Sequence, residues 1–222
     1  MRILVCNVGS TSLKYKLFEM AGEAILCHGG IDGIGSASSR IRHSQAHQTI
    51  VDETRPISDQ GMAIHWMTSL LLGSDAPAPG RVDSFDAIAF KVVGAEGISG
   101  AVMLDDRVLE AMESYTPLLP RHNPPYIDAI RHFRALAPDV PLVGLFETSF
   151  HAGLPEVAYT YGIPREWTEG LGIRRLGYHG ASFTFIAERA SRIVSPSNGD
   201  FRLVACHLGG SSSICAIRCA GR

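Results

Sequence analysis

Three observations predict an α/β fold built on a repeated unit. A glycine- and hydroxyl-rich turn between two apolar strands occurs twice. The first copy runs from 2–6 through Asn7-Val8-Gly9-Ser10-Thr11-Ser12 into 13–18, and the second from 203–206 through His207-Leu208-Gly209-Gly210-Ser211-Ser212-Ser213 into 214–217. Between them, short buried strand patterns alternate with amphipathic helical ones, as a sheet flanked by helices requires. Residues 140–146 form one such strand and deliver Glu147-Thr148-Ser149-Phe150-His151 at its carboxyl end, where open α/β sheets bind ligands. A turn of this composition offers backbone N–H groups and hydroxyls to an anion, and its glycine lets the backbone come close. Two such turns suggest a duplicated fold that grips a polyphosphate from both sides.

In chain order, strands are expected over 2–8, 12–19 and 24–32. The second alternates Leu13, Tyr15 and Leu17 with Lys14 and Lys16, so one face is buried and the other exposed or functional. The polar stretch 33–56 reads as exposed turns and edge strands. Met62, Ile64, Trp66, Met67, Leu70 and Leu71 recur at helical spacing within 57–72, and Ser58 or Asp59 can cap that helix. Two prolines and a glycine make 75–80 a loop. A buried strand over 85–93 ends at the turn Gly94-Ala95-Glu96-Gly97. A short helix over 106–115 follows, then a proline-rich irregular stretch over 117–125, a second helix over 126–137 and the strand 140–146. Residues 152–180 read as mixed loop and 181–194 as helix. A boundary near residue 150 divides the chain into a first unit, 1–150, and the start of a second, 151–222. After the strand 214–218 a full second copy would need a further stretch nearly as long as the first unit, so the second copy is expected to be incomplete.

The 222 residues are 45% apolar and 19% charged with a net charge of −2, which fits a soluble globular protein with a substantial core. That balance gives no argument for a nucleic-acid or membrane surface. No apolar run approaches a membrane span, and because the chain opens directly into a strand and shows no cleavage site, no signal peptide is expected. The five cysteines Cys6, Cys27, Cys206, Cys215 and Cys219 include no CxxC pair and sit mostly in apolar strand-like runs. They are read as reduced, mostly buried thiols of a cytoplasmic protein. No spacing of histidine and carboxylate resembles a zinc site, and no G-x-x-x-x-G-K-[ST] loop occurs.

Five motifs, in order along the chain, resemble those of the acetokinase family within the actin/hexokinase/Hsp70-type ATPase superfamily. They are Asn7-Val8-Gly9-Ser10-Thr11-Ser12-Leu13-Lys14-Tyr15, His122-Asn123-Pro124, Leu145-Phe146-Glu147-Thr148-Ser149-Phe150-His151, Arg174-Arg175-Leu176-Gly177-Tyr178-His179-Gly180 and Cys206-His207-Leu208-Gly209. The resemblance implies a ribonuclease-H-like (actin-like ATPase) fold, a mixed sheet flanked by helices. It also implies reversible phosphoryl transfer between ATP and a short carboxylate such as acetate or propionate, giving ADP and an acyl phosphate, with Mg²⁺ as cofactor. By position, Asn7 would help hold Mg²⁺, Lys14, Ser10 and Ser12 would contact the ATP phosphates, and His207, Leu208, Gly209, Gly210 and Ser211 would bind phosphates through the backbone. His179 would stabilise charge on the transferring phosphoryl group. The family is typically dimeric, which makes a homodimer one expectation.

The departures from the family pattern fall on substrate binding and chemistry. Lys91 stands where the family has a carboxylate-binding arginine; lysine keeps the charge and loses the planar fork. Glu147 stands where the family has its catalytic aspartate, and the extra methylene moves the carboxylate by roughly an ångström. Gly94-Ala95-Glu96 replaces a His-Gly-Gly, Gly209-Gly210-Ser211 replaces a Gly-Asn-Gly, and Phe183 replaces the histidine that closes the His179 motif. The small acceptor is expected in an apolar pocket near Val92, Val93 and Pro125. Each site residue has a plainer reading. Lys14 shares a face with Lys16, so one of them is a solvated strand lysine, and Lys91 could end its strand without a ligand. His122, His151 and His207 could serve packing as well as ligand contact. The alternative for the whole chain is a degenerate or truncated, non-catalytic phosphate- or nucleotide-binding protein that acts through protein contacts.

Overall fold

The computed structural model describes residues 1–45, 48–72, 85–194 and 200–219. The chain divides into two compact units, Met1–Leu145 and Phe146–Arg222. The loop expected over 75–80 lies outside the described residues.

The first unit opens with three strands at the predicted positions: β1 (Arg2–Val8), β2 (Ser12–Glu19) and β3 (Ala24–Asp32). They pair antiparallel in sequence, with Val8 opposite Leu13 across the first turn. The period-2 pattern fixes the register. Leu4, Cys6, Val8, Leu13, Tyr15 and Leu17 are buried on one face, whereas Asn7, Lys14 and Lys16 are exposed on the other. The polar stretch forms β4 (Ser39–Gln45) and the edge strand β5 (Gln48–Arg55). β4 is less exposed than its composition suggests, because Ser39, Ile41 and His43 point inward. Gly29 on β3 makes this possible: a Cβ there would lie 2.5 Å from both the Tyr15 hydroxyl and the Arg42 carbonyl oxygen. The Tyr15 hydroxyl meets His43 Nδ1 at 2.7 Å inside the core.

β6 (Ala87–Val92) pairs parallel with β1, and β7 (Ala101–Met103) pairs antiparallel with β8 (Leu142–Phe146). The result is one mixed eight-stranded sheet in the order β5-β4-β3-β2-β1-β6-β8-β7. β7 is too short to leave a pattern in the sequence. Helix α1 (Gln60–Leu72) is capped by Asp59, whose Oδ1 accepts the Met62 N–H at 2.8 Å. Helix α2 (Asp106–Ser114) is capped in the same way by Asp105. Helix α3 (Asn123–Leu136) corrects the irregular stretch expected over 117–125. Pro124 and Pro125 occupy its first turn, where the missing N–H groups would have had no partner anyway. Asn123, fully buried, ties three elements together by donating to the carbonyls of Gly94 at 3.0 Å and Met112 at 2.8 Å.

The second unit carries a 3₁₀ turn (Ser149–His151), the short helices α4 (Glu156–Tyr159) and α5 (Arg165–Leu171), helix α6 (Gly180–Val194), and the antiparallel ribbon β9 (Phe201–His207) with β10 (Ser213–Cys219). α4 and α5 are too short for a helical period to show, which is why 152–180 reads as loop in the sequence. α6 packs on one face of the ribbon. The other face exposes Val204 and Ile214. Of the cysteines, Cys6 and Cys27 are buried, whereas Cys206 is exposed and Cys215 half-buried. Alternation on a ribbon covered on one face sends one of these two thiols outward, so the expectation of mostly buried thiols holds for the first unit alone.

Candidate functional site

The candidate residues form two sets, one in each unit. In the first unit the set is assembled by register. Asn7 and Lys14 are direct cross-strand partners, so their side chains leave the same face of the sheet. β6 runs parallel beside β1 with Cys6 next to Phe90, and Lys91, one residue on, follows the pleat to the face of Asn7. Gly30, opposite Lys14 on β3, leaves room for the lysine stem, since a Cβ there would lie 3.3 Å from Lys14 Cγ. The turn between β1 and β2 is tight. The Gly9 N–H donates to the Ser12 carbonyl at 2.8 Å, and a Cβ on Gly9 would lie 2.7 Å from Ser12 Oγ. Ser10 and Thr11 are exposed at its tip.

Two residues that carry no sequence signal support this set. The Tyr126 hydroxyl, from the first turn of α3, donates to Asn7 Oδ1 at 2.9 Å. Gln60, at the first position of α1, donates from Nε2 to the Gly9 carbonyl at 2.7 Å. Both lie far from the turn in sequence, so only the fold reveals them. A groove of about 610 Å³ lined by Ser10, Gln60, Pro124, Pro125, Asp128 and His132, among others, adjoins the turn. Val92 is fully buried and packs against Gly144 and so faces the core, whereas Val93 is 8% exposed and Pro125 half-buried. The pocket expected near these three residues therefore loses Val92 as a lining residue. His122 is exposed at the start of α3, and its side chain caps nothing.

In the second unit, Glu147 is 5% exposed, and its carbonyl oxygen accepts the Gly180 N–H at 2.9 Å. A Cβ on Gly180 would lie 2.2 Å from that oxygen, so glycine alone allows the approach. Gly177, at φ +72°, leaves space for the His151 ring, and His151 packs edge-on against Phe150 and Phe183. His151 thus has a packing role. Between the two glycines, His179 is held at φ 58°, a left-handed conformation uncommon for a residue with a Cβ. Its Nδ1 meets Ser213 Oγ at 2.9 Å and its Nε2 meets Ser211 Oγ at 3.3 Å. The His207 ring stacks on it with centroids 4.0 Å apart, and His207 Nδ1 meets Ser182 Oγ at 3.0 Å. The turn over 208–212 is exposed, with the Ser212 hydroxyl bridging the N–H and carbonyl of Gly209 at 3.4 Å. The fold therefore joins His179, His207 and Ser211 and adds Ser213 and Ser182, which the motifs alone do not single out.

Among the described residues no group of three or more histidine, cysteine or acidic side chains could hold a metal ion, and no helix is long and apolar enough to cross a membrane. Asn7 offers a neutral amide oxygen already engaged by Tyr126. That donor set suits a magnesium ion carried by phosphate oxygens and reached through water, and does not suit a cage built by the protein.

A glycine turn between two central strands of a mixed sheet, with a like turn on the ribbon of the second unit beside a pair of histidines, defines an α/β protein with a repeated glycine turn. The chain belongs to the acetokinase family, whose model matches residues 2–222. It is 38% identical over 218 residues to an acetate kinase of Natranaerobius thermophilus, covering 98% of this chain and 55% of that protein. Among solved structures it is similar to an acetate kinase of Porphyromonas gingivalis, with a TM-score of 0.85 at 29% identity over 99% of this chain and 56% of that one. It also matches a propionate kinase of Francisella tularensis, with a TM-score of 0.87 at 28% identity and the same coverage. The chain spans about half the length of the relatives it matches.

Proposed function

We propose that this chain is part of a carboxylate phosphotransferase that moves a phosphoryl group between ATP and acetate or propionate in the cytoplasm. The observation that carries the reading is the register placing Asn7, Lys14 and Lys91 on one sheet face beside the Gly9–Ser12 turn. Transfer of this kind is mainly positioning and charge neutralisation, which two lysines on one sheet face and turn N–H groups can supply. Lys14, Ser10 and Ser12 bind nucleotide phosphates, and residues 207–211 form a second phosphate-binding turn. Lys91 pairs with the acceptor carboxylate as a single point charge. Glu147 takes the place of the family's catalytic aspartate, and His179 donates to the phosphoryl oxygens as charge develops on them. Magnesium, held through water by Asn7, would neutralise phosphate charge. The family's dimeric habit supports a homodimer.

The test is magnesium-dependent formation of ATP from ADP and acetyl phosphate, followed together with the intact mass of the native protein. The reading predicts turnover, raised by at least about tenfold in the Lys91→Arg/Glu147→Asp double variant, because the fork and the shorter carboxylate restore alignment. A native mass near 23.9 kDa without turnover, and none gained in the double variant, favours a non-catalytic phosphate-binding protein instead.

A further inference from the structure

We infer that Gln60 is a positioning residue that holds the Gly9–Ser12 turn in its anion-facing form. This role rests on the reading of that turn as a phosphate site. The groups an anion must not meet in such a turn are its carbonyl oxygens, and here those of Gly9, Thr11 and Ser12 are tied back. Gln60 Nε2 donates to the Gly9 carbonyl at 2.7 Å and lies 3.5 Å from the Ser12 carbonyl, which also accepts the Gly9 N–H at 2.8 Å. The Thr11 carbonyl accepts the Ile34 N–H at 2.9 Å. With these three carbonyls engaged, Ser10 and Thr11 stand exposed at the tip, where their N–H groups and hydroxyls can meet an anion.

The orientation of the Gln60 amide follows from its partners. Both neighbours are acceptors, so the nitrogen must face them. Oε1, on the other side, is buried and accepts no hydrogen bond from any described residue. A stranded acceptor is tolerated where the donor on the same group is needed. Gln60 is also held firmly, as a positioning residue must be. Asp59 caps the turn it sits on by accepting the Met62 N–H. Gly61 lies so close to α3 that a Cβ would come 2.4 Å from His132 Nε2. His132 is in turn fixed by Nδ1 against the Asp128 carbonyl at 2.7 Å.

The experiment compares the full chain with Gln60→Met, which keeps volume and loses the donor, and with Gln60→Glu. Gly9 amide exchange and ADP affinity are read after thermal melting shows each variant folded. In Gln60→Met, Gly9 exchange is expected to rise about three- to tenfold and ADP affinity to fall by a similar factor, with interior amides of α1 unchanged. Gln60→Glu is expected to match it at pH 7 and to regain protection, after correction for intrinsic exchange, as the pH falls and the carboxyl gains an O–H donor. Unchanged Gly9 exchange in Gln60→Met, or no recovery in Gln60→Glu at low pH, overturns the assignment. If Gln60→Met does not fold, Gln60→Glu at the two pH values decides alone. If the parent chain binds no ADP, the phosphate reading of the turn fails, and Gly9 exchange still decides whether Gln60 holds the turn.

Discussion

His179 and His43 illustrate the two things a histidine does in this chain. His179 is kept at φ 58° between two glycines, and strain of this kind persists only where the surroundings enforce it. Replacing it by glycine removes the strain and adds unfolded-state entropy, two effects of similar size and opposite sign. His179→Gly is therefore expected to change unfolding stability by less than about 1 kcal/mol. The phosphotransfer rate should fall much further, which a urea titration beside an acetyl phosphate and ADP turnover assay would show. His43, by contrast, is a core residue. Burial, helped by the neighbouring charge of His28, pushes it down to about 4. It stays neutral in the fold, while in the unfolded chain it titrates at its ordinary value. Its contribution to stability is intact above about pH 6.5 and is lost as the pH falls from there towards about 4, by no more than ~1.4 kcal/mol per pH unit. Urea midpoints measured across that window should show the slope, and His43→Gln should flatten it.

At the scale of elements, side-chain alternation made the first three strands legible to the residue, because a half-buried strand writes its two faces into its sequence. The register that pairs Asn7 with Lys14 follows from those strands, whereas Lys91 joins them through the parallel pairing of β6 with β1. What stayed hidden has physical causes. Pro124 and Pro125 look like breakers, and at a helix start they are compatible with the helix. α4 and α5 are a turn or two long, below the length at which a period can be read. Tyr126 and Gln60 reach the turn through tertiary contact, which no local pattern encodes. The start of α6 offers a sharp check. A helical Gly→Ala change normally stabilises by roughly 0.5–1 kcal/mol. At Gly180 the new Cβ would meet the Glu147 carbonyl at 2.2 Å. Gly180→Ala is expected to destabilise by about 1–3 kcal/mol, and the sign of the shift in thermal unfolding tests the contact between this glycine and the segment that carries Glu147.

For the whole molecule, the recurrence of the glycine turn is the feature from which the functional reading grows. Both copies join antiparallel strands, Val8 opposite Leu13 in the first and His207 opposite Ser213 in the second, and both expose their tips. The family match covers both, and so do the related acetate and propionate kinases. That each turn is a phosphate site is the central claim. The direct measurement is a titration of the ¹⁵N-labelled chain with Mg·ADP, following the amides of residues 9–12 and 208–213 together. The account predicts that the amides of each turn shift and saturate as Mg·ADP is added. Shifts confined to one turn, or none in either, would contradict it.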